Sequence, residues 1–241
     1  MALAKGLSIY MNGVSLGCAL TSLDATATTD ALDSTTLCQN YRTYATGIKN
    51  GTASASGIWD YDSTTADKIH DVFKAAYDSG SENIVTATLE SIASNAVNKD
   101  AILFNATQSS YNVEVQNGQL IMCTAEFQAT SGINYGKIIF NAAVNNTTTN
   151  GTAINNTVDT TNGGLFQVQV QNPSEYGWTV KLQHSDDNST WVDLATLTST
   201  GTGKKYEAQS AQVTGTIEQY VRARVTASTG SITFVAGFAR R

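Results

Sequence analysis

The order of hydrophobic and polar positions predicts a chain built mainly of β-strands. Apolar and polar side chains alternate through NIVTATLESI, SSYNVEV and QLIMCTAEFQA in the first half. Successive side chains of a strand point to opposite faces, so this alternation is typical of strands with one buried face. Two dipeptides that favour tight hairpin turns interrupt the pattern: Asn12-Gly13 and Asn117-Gly118. We therefore expect an antiparallel sheet in this half.

One segment, TTADKIHDVFKAAYDSG, has the period of an α-helix. Its predicted apolar stripe has five members, three or four residues apart: Ile69, Val72, Phe73, Ala76 and Tyr77. Thr64 is predicted to be the N-cap, and Asp67 falls where a capping carboxylate would sit. Gly80 is placed to end the helix in a left-handed conformation. The first half is thus predicted to be a sheet with one helix packed on it.

The second half has strand patterns at regular spacing and no helical period. These runs include LFQVQVQ, WTVKLQHS, TWVDLATLT and SITFVAGFAR, which together predict an antiparallel sandwich of jelly-roll or immunoglobulin type. Before them, the Asn- and Thr-rich stretch 141–164 is either a linker or a set of short polar strands. We place the domain boundary in TSGINYGK, which gives domains 1–135 and 136–241.

Composition changes this picture in one respect. Charged residues make up 14% of the chain, against about 25% in an average globular domain. Ser, Thr, Asn and Gln take their place, and paired hydroxyls and amides cost less to remove from water than ions do. Such a surface suits burial in an assembly.

The net charge of −6 is unevenly distributed. Residues 1–136 carry 6 Lys and Arg against 13 Asp and Glu, a net −7, whereas residues 137–241 carry 8 against 7, a net +1. Tight binding of duplex DNA depends on neutralised phosphates, so an acidic domain is a poor DNA binder. It is suited to letting DNA pass without adhering.

Candidate chemistry is sparse. Cys18, Cys38 and Cys123 are odd in number and widely spaced without a CxxC motif, so we expect free thiols in a reducing compartment and neither a zinc site nor a disulfide framework. His70 and His184 lack a nucleophile partner in the pattern and are expected to face solvent. The sequence therefore nominates no catalytic residue, no metal ligand and no cofactor.

Aromatic residues of the second half offer two interpretations. Trp178 and Trp191 lie inside alternating strands, which favours core packing, while a surface-ligand platform is the alternative. Arg222 and Arg224 share one face of the strand YVRARV and are expected to form a surface or interface pair.

Targeting signals are not evident in the sequence. The stretch MALAKGLSIYMNGVSLG has no apolar core long enough for a signal peptide. No apolar run approaches the roughly 18 residues of a membrane span. Synthesis in the cytoplasm is the expectation.

A loose run, R…G…G…S.SG..D, precedes the predicted helix and strands; its members are Arg42, Gly47, Gly51, Ser56, Gly57 and Asp60. Together these features resemble the major tail tube proteins of siphophages, the bacteriophages with long, non-contractile tails. The resemblance covers Met1 to about Gln128. The second half looks like the β-sandwich decoration domain at the C-terminus of some of those proteins.

The resemblance implies a barrel-like β-sandwich domain with one α-helix that assembles into hexameric rings. Stacked rings would form the tail tube of the virion, through which genome DNA is ejected into the host. Implied partners are other copies of the chain, the tail-tip, tape measure and terminator proteins, and passing double-stranded DNA that is not specifically bound. The C-terminal domain would face outward, where a host surface glycan is a candidate ligand.

The polar stretch 24–51 is strand-like but cannot form a core of its own. In the resembling family such a segment reaches adjacent subunits or the next ring, which implies intersubunit contact here. The residues assigned to that contact are Asp33, Thr35, Leu37, Tyr41, Arg42, Tyr44 and Ile48.

Three alternatives stay open. A two-domain β adhesin or surface-layer protein would bind carbohydrate, and the first half would also fit the tube protein of type VI secretion. A glycoside hydrolase would need two facing carboxylates about 5–10 Å apart, and the sequence nominates no such pair. The leading interpretation is a structural, non-enzymatic virion protein.

Overall fold

The computed structural model describes residues 7–61, 67–89, 97–171, 177–201, 205–227 and 230–241. Within these ranges the chain forms one α-helix and sixteen strands, which confirms the mainly β fold with a single helix. The strands are β1 Ile9–Met11, β2 Val14–Ser15, β3 Leu20–Asp33, β4 Tyr44–Ile58, β5 Glu82–Thr88, β6 Lys99–Glu114, β7 Met122–Ala129, β8 Asn134–Asn145, β9 Thr148–Asn150, β10 Ile154–Asn155, β11 Gly164–Gln171, β12 Trp178–Ser185, β13 Val192–Thr198, β14 Tyr206–Val213, β15 Tyr220–Ala227 and β16 Ser231–Arg240.

Helix α1 spans Ile69–Ser79 and follows the predicted stripe with one exception. Four of the five stripe residues are buried: Ile69, Val72, Phe73 and Ala76. Tyr77 is 51% exposed, so its prediction as a stripe member is wrong. Each residue turns the helix by about 100°, which carries Tyr77 past the edge of the covered face. Gly80 ends the helix with φ of 59°, as predicted.

The start of α1 differs from the prediction. The N-cap position is Lys68, which makes no side-chain capping hydrogen bond, and Thr64 lies outside the described residues. The Asp67 carboxylate accepts hydrogen bonds from Lys205 Nζ at 2.9 Å and Tyr206 Oη at 3.0 Å. Asp67 therefore ties the beginning of the helix to β14 in the second half of the chain.

The helix packs closely on the sheet because of a glycine in β4. A Cβ on Gly57 would lie 2.4 Å from Ile69 Cδ1 and 2.5 Å from the carbonyl oxygen of Ala19. Any larger residue would push the helix away. Phe73 then meets the rings of Tyr111 and Phe127 edge-on, with centroids 6.3 Å and 6.0 Å apart.

Eleven strands form one nearly closed, barrel-like sheet centred on β6. The first part of β6 lies between β5 and β8, and its last part pairs with β7. From there one branch runs through β7, β4 and β3, and another runs through β8, β16, β11 and β14. The predicted boundary at 135/136 falls inside β8, which pairs with both β6 and β16. Both halves of the chain therefore contribute to one sheet.

The remaining five strands form the second sheet, in the order β10-β15-β12-β13 with β9 also on β15. Its inner face packs on β11 and β16 through a continuous apolar core: Phe166, Val168, Trp178, Val180, Leu182, Val221, Ala223, Val225 and Phe234. The Asn- and Thr-rich stretch supplies the end of β8 together with β9 and β10. The stretch therefore forms short polar strands and is not a linker.

The other face of β11 makes a polar seam with the first half. Gln167 and Gln169 are fully buried. Gln167 Nε2 donates to Asn105 Oδ1 at 2.8 Å, and its Oε1 accepts from Thr86 Oγ1 at 2.9 Å. Gln169 Oε1 accepts the Gly13 N–H at 2.7 Å. These bonds satisfy polar groups that would otherwise be costly to bury, so they fix how β11 sits over β5 and β6.

The two histidines are not both where the sequence predicted. His184 is buried, and its Nδ1 accepts the backbone N–H of Glu218 at 3.1 Å. The solvent-facing prediction is wrong for His184 because its position in β12 points into the sandwich. His70 is partly buried, with its Nδ1 2.6 Å from Tyr111 Oη.

Candidate assembly surface

A two-stranded ribbon extends from the sheet. Strand β4 pairs with β7 only over Thr52–Ile58, while β3 continues to pair with the rest of β4. In residues 27–51 the strand pairing is therefore between β3 and β4 alone, while at the base Gln128 Nε2 donates to Asn50 Oδ1 and to the Gly51 carbonyl; we call this segment the ribbon. At about 3.3 Å per residue, its eight β4 residues span about 26 Å along the ribbon, measured from its base on the sheet.

The loop at the end of the ribbon has a defined shape. Ser34 N–H donates to the carbonyl of Thr43 at 2.9 Å, and Thr43 N–H donates to Thr35 Oγ1 at 3.0 Å. Asp33 Oδ1 accepts the Thr35 N–H at 2.9 Å. The side-chain hydrogen bond with Thr35, followed by the backbone one, lowers the pKa of Asp33. Polar side chains thus organise the loop, which leaves its apolar side chains free to face outward.

Large apolar side chains on the ribbon are exposed. Tyr41 is 85% exposed and Ile48 78%, and Leu37 is fully exposed. The structure places all seven residues assigned to intersubunit contact on this one element, each exposed to solvent: Asp33, Thr35, Leu37, Tyr41, Arg42, Tyr44 and Ile48. Clustered apolar exposure of this kind marks an interaction site. Burial of these residues by another copy stays a prediction.

Strand β3 is also a free sheet edge. Among the described strands it pairs only with β4, through twelve of its fourteen residues, with irregularities in the register at Thr21 and Asp30. Its outer backbone N–H and C=O groups are therefore available to another strand. The usual protections of an edge, lysine and proline, do not occur within Leu20–Asp33. This edge is suited to pairing with a second chain.

One face of the β3-β4-β7-β6 branch is polar and acidic, and we call it the polar face. The strand register places these side chains on it: Ser22, Asp24, Thr26, Thr52, Ser54, Ser56, Ser110, Asn112, Glu114, Thr124, Glu126 and Gln128. Three of them are carboxylates and none is Lys or Arg. The opposite face is apolar and lies under the helix, with Ala55, Ala125 and Phe127 buried.

Two carboxylates of the polar face stand in one row. Ser54 lies directly opposite Asp24 on one side and Glu126 on the other. Neighbouring strands are about 4.8 Å apart, so the two carboxylates flank Ser54 across about 10 Å. Both are exposed. Sequence reasoning could not find this row, because it depends on which strands pair and in which register.

The two tryptophans of the second half have different environments. Trp178 is 2% exposed, its Nε1–H donates to Glu207 Oε2 at 2.9 Å, and its ring meets Phe234 edge-on. The surface-platform interpretation is therefore wrong for Trp178, because this position of β12 points into the core. Trp191 is partly exposed, and Arg222 stacks on its ring at 4.0 Å.

Glu207 is a buried carboxylate held as an anion. Burial alone would raise its pKa, but hydrogen bonds from Thr200 and then from Trp178 outweigh burial and lower it. Cys123 shows the opposite net shift. Burial raises the pKa of its thiol to about 11. Cys18 and Cys38 are exposed free thiols.

Within the described ranges, no group of three or more His, Cys, Asp and Glu side chains converges on a metal-sized site. No helix in the described part of the chain combines the length and apolarity needed to cross a membrane.

No protein-family model matches the chain, and no curated protein matches it. Solved structures resemble it in part. The virion of a native gene transfer agent particle is 10% identical over 56% of this chain and 98% of that chain, with a TM-score of 0.43. The SPP1 tail tube is 11% identical over 55% and 78%, with a TM-score of 0.45. The SPP1 Dit protein is 10% identical over 98% and 100%, with a TM-score of 0.33.

Proposed function

We propose that this chain is a structural subunit of a siphophage tail, and that its copies stack as hexameric rings into the tail tube that conducts genome DNA. The single observation that carries the proposal is the ribbon, which exposes apolar side chains at the end of an otherwise well-packed sheet. The resemblance in sequence, centred on Arg42, Gly47, Gly51 and Gly57, supports the same assignment.

The energetics of the ribbon favour a polymer. Fully burying one large apolar side chain contributes about 1.5–3 kcal/mol. Burying the five on the ribbon would therefore contribute about 7–15 kcal/mol; they are Leu32, Leu37, Tyr41, Tyr44 and Ile48. Association itself costs about 4–15 kcal/mol. Apolar burial thus only roughly offsets that cost, so the free edge of β3 must contribute backbone hydrogen bonds as well. In a ring, the ribbon of each copy would contact the next copy. That contact would supply both the apolar burial and the backbone hydrogen bonds.

The polar face is proposed to line the channel of the tube. It carries Asp24, Glu114 and Glu126 without a compensating Lys or Arg. Phosphates bind proteins mainly through cationic side chains that displace counterions. A channel lined by hydroxyls and carboxylates would let double-stranded DNA pass without specific binding.

The second half, residues 136–241, is proposed to face outward from the polymerising half, residues 1–135. The shared sheet and the polar seam support a rigid attachment of the two. The proposed partners are other copies of the chain and the tail-tip, tape measure and terminator proteins of the virion, with a host surface glycan as a ligand of the outer half. Synthesis would take place in the host bacterial cytoplasm. The role is structural and needs no catalysis or cofactor.

A carbohydrate-binding adhesin is the second candidate. The observation that favours it is the partly exposed Trp191 with its stacked Arg222. Under this candidate the ribbon would be a simple surface hairpin, and the protein would bind glycans without forming rings.

The two candidates differ in particle shape. The proposal is tested by negative-stain electron microscopy of the purified chain at high concentration, with its mass in solution measured alongside. Rings or hollow tubes with sixfold end views are expected. A chain that stays monomeric at every concentration, also after addition of preformed tail tips, would overturn the tube assignment.

A further inference from the structure

The outer face of the second sheet holds an arginine in a fixed orientation. The Arg222 guanidinium stacks on the Trp191 ring, with Cζ 4.0 Å from the ring centroid. Arg222 Nε donates to Gln183 Oε1 at 2.9 Å. Trp191, next to β13, and Arg222 on β15 meet above β12, so they cover Gln183, which is 4% exposed.

Gln183 is itself held in place from the other side. Its Nε2 donates to Asp193 Oδ1 at 2.7 Å, and Asp193 Oδ2 accepts from Lys181 Nζ at 2.5 Å. The hydrogen bond with Lys181, followed by that with Gln183, lowers the pKa of Asp193. The Asp193 carboxylate therefore lies in one cross-strand row with Gln183 and Arg222 and is hydrogen-bonded to Lys181 and Gln183, while the nearby charge of Arg224 also lowers its pKa.

The hydrogen-bonding end of Arg222 is unused. Among the described residues, no hydrogen bond reaches the terminal nitrogens of Arg222 or any atom of the Arg224 side chain. Arg224 lies two residues further along β15, on the same face, and is exposed. Burial lowers the pKa of Arg222, and the nearby charge of Arg224 lowers it further. Two adjacent cations repel each other, and an anion bound between them removes that repulsion.

We propose that this face binds an anionic polysaccharide, with a carboxylate or phosphate held by Arg222 and Arg224 and a sugar ring lying against Trp191. The planar guanidinium matches such groups with two parallel hydrogen bonds. Arg222 is already immobilised by Gln183 and Trp191, so little conformational freedom is lost on binding. The exposed part of the indole offers the apolar surface on which sugar rings stack.

A sparsely charged polymer fits the face better than a nucleic acid. Among the described residues of this face, Arg222 and Arg224 are the two cations whose terminal nitrogens make no hydrogen bond, whereas duplex binders neutralise many phosphates, and the chain as a whole carries a net −6. This inference depends on the proposed function in one respect. Assembly into rings would repeat the site and so add avidity. Binding itself is a property of the single chain.

The test is isothermal titration calorimetry of the full chain with three polymers. Poly(glycerol phosphate) and polygalacturonate carry the two kinds of anion, and neutral dextran carries none. We expect binding of at least one charged polymer and none of dextran, and the polymer bound identifies phosphate or carboxylate as the ligand. Arg222→Gln and Arg224→Gln should each weaken binding about tenfold, the effect of losing a charge-assisted hydrogen bond.

The matched control is Lys49→Gln, which removes one exposed positive charge from the ribbon and should change affinity less than about twofold. Arg224 is exposed, so the Arg224→Gln variant should fold normally. If Arg222→Gln is destabilised, the affinity of Arg224→Gln decides the outcome. Absence of binding to both charged polymers, equal binding by wild type and Arg224→Gln, or tighter binding of an oligonucleotide would overturn the inference. Tubes without polysaccharide binding would overturn this inference alone, and binding by a chain that never assembles would overturn the tube proposal alone.

Discussion

Asn105 and Gln167 are 62 residues apart in the chain, and the Gln167 side-chain amide donates a hydrogen bond of 2.8 Å to the Asn105 side-chain oxygen. Asn105 Nδ2 in turn donates to Ser210 Oγ at 2.7 Å. The bond joins β6 to β11 at a fully buried position. The two halves of the chain are therefore connected by specific, desolvated polar contacts as well as by a shared sheet.

We predict that the two halves unfold together. Gln167→Leu would leave Asn105 and Thr86 each without one buried partner, at a cost of about 1–3 kcal/mol for each group. The free energy of unfolding should fall by about 2–6 kcal/mol in a single transition. Urea unfolding, followed by far-UV circular dichroism and tryptophan fluorescence, measures the free energy of unfolding and the number of transitions. Gln212→Leu, at an exposed position of β14, is the control and should change little. Two separate transitions would mean that each half is independently stable.

Substitutions on the ribbon should abolish assembly and spare the fold. Leu37→Ser with Ile48→Ser removes two exposed apolar side chains, so the monomer should lose less than about 0.5 kcal/mol. Assembly should fall at least tenfold, because each lost contact recurs at every subunit. Sedimentation velocity against concentration gives the assembled fraction. The control pair, Val115→Ser with Val158→Ser, changes two other exposed apolar residues, which lie outside the ribbon; equal loss of assembly in both pairs would remove the special role of the ribbon.

Reversing charge on the polar face should make it adhere to DNA. The double variant Asp24→Lys with Glu126→Lys places two cations on either side of Ser54. We expect assembled wild-type particles not to retain duplex DNA, whereas the variant retains it at low salt and releases it as salt rises. Cosedimentation measures the retained DNA. Asp78→Lys with Asp186→Lys adds the same charge outside the polar face, and DNA retention by that control would show that net charge alone decides the result.

Stability should depend on pH through Glu207. Its pKa is lowered from 4.5 in the folded chain, so its contribution is complete above the unfolded pKa and is lost as the pH falls through the folded value. Glu207→Gln should therefore cost about 1–3 kcal/mol at pH 7, and the difference from wild type should shrink as the pH falls below the unfolded value of 4.5. Chemical denaturation at several pH values gives the difference. Glu126→Gln is the exposed control, and a Glu207→Gln deficit that stays constant into acid would contradict this role.

Sequence patterns predicted the elements whose periodicity reflects one buried face. The stripe of α1 and the alternation of β7 are of this kind, and both are observed at the expected residues except for Tyr77. The beginning of β6 gave no such signal. Its residues 101–106 are covered on both faces, mostly by apolar contacts, so alternation is lost.

Strand order and register were beyond prediction from local patterns. Strand β8 joins β6 to β16, which are distant from one another in sequence, and this pairing unites the two halves. The polar seam had one signal in the sequence. Gln167 and Gln169 alternate with apolar residues, and in the structure nearly every position of that strand is buried. His184 shows the same limit, since a pattern gives the alternation of faces but not which face is covered.

The central claim is that another copy of the chain buries the ribbon. A photo-reactive benzophenone side chain placed at position 41, at the exposed end of the ribbon, tests it most directly. After irradiation of concentrated protein, we predict covalent dimers whose cross-linked peptides join position 41 to a second chain, and no such dimers with the same group at position 158. Exclusively monomeric products at position 41, in a sample that contains assembled particles, would contradict the claim.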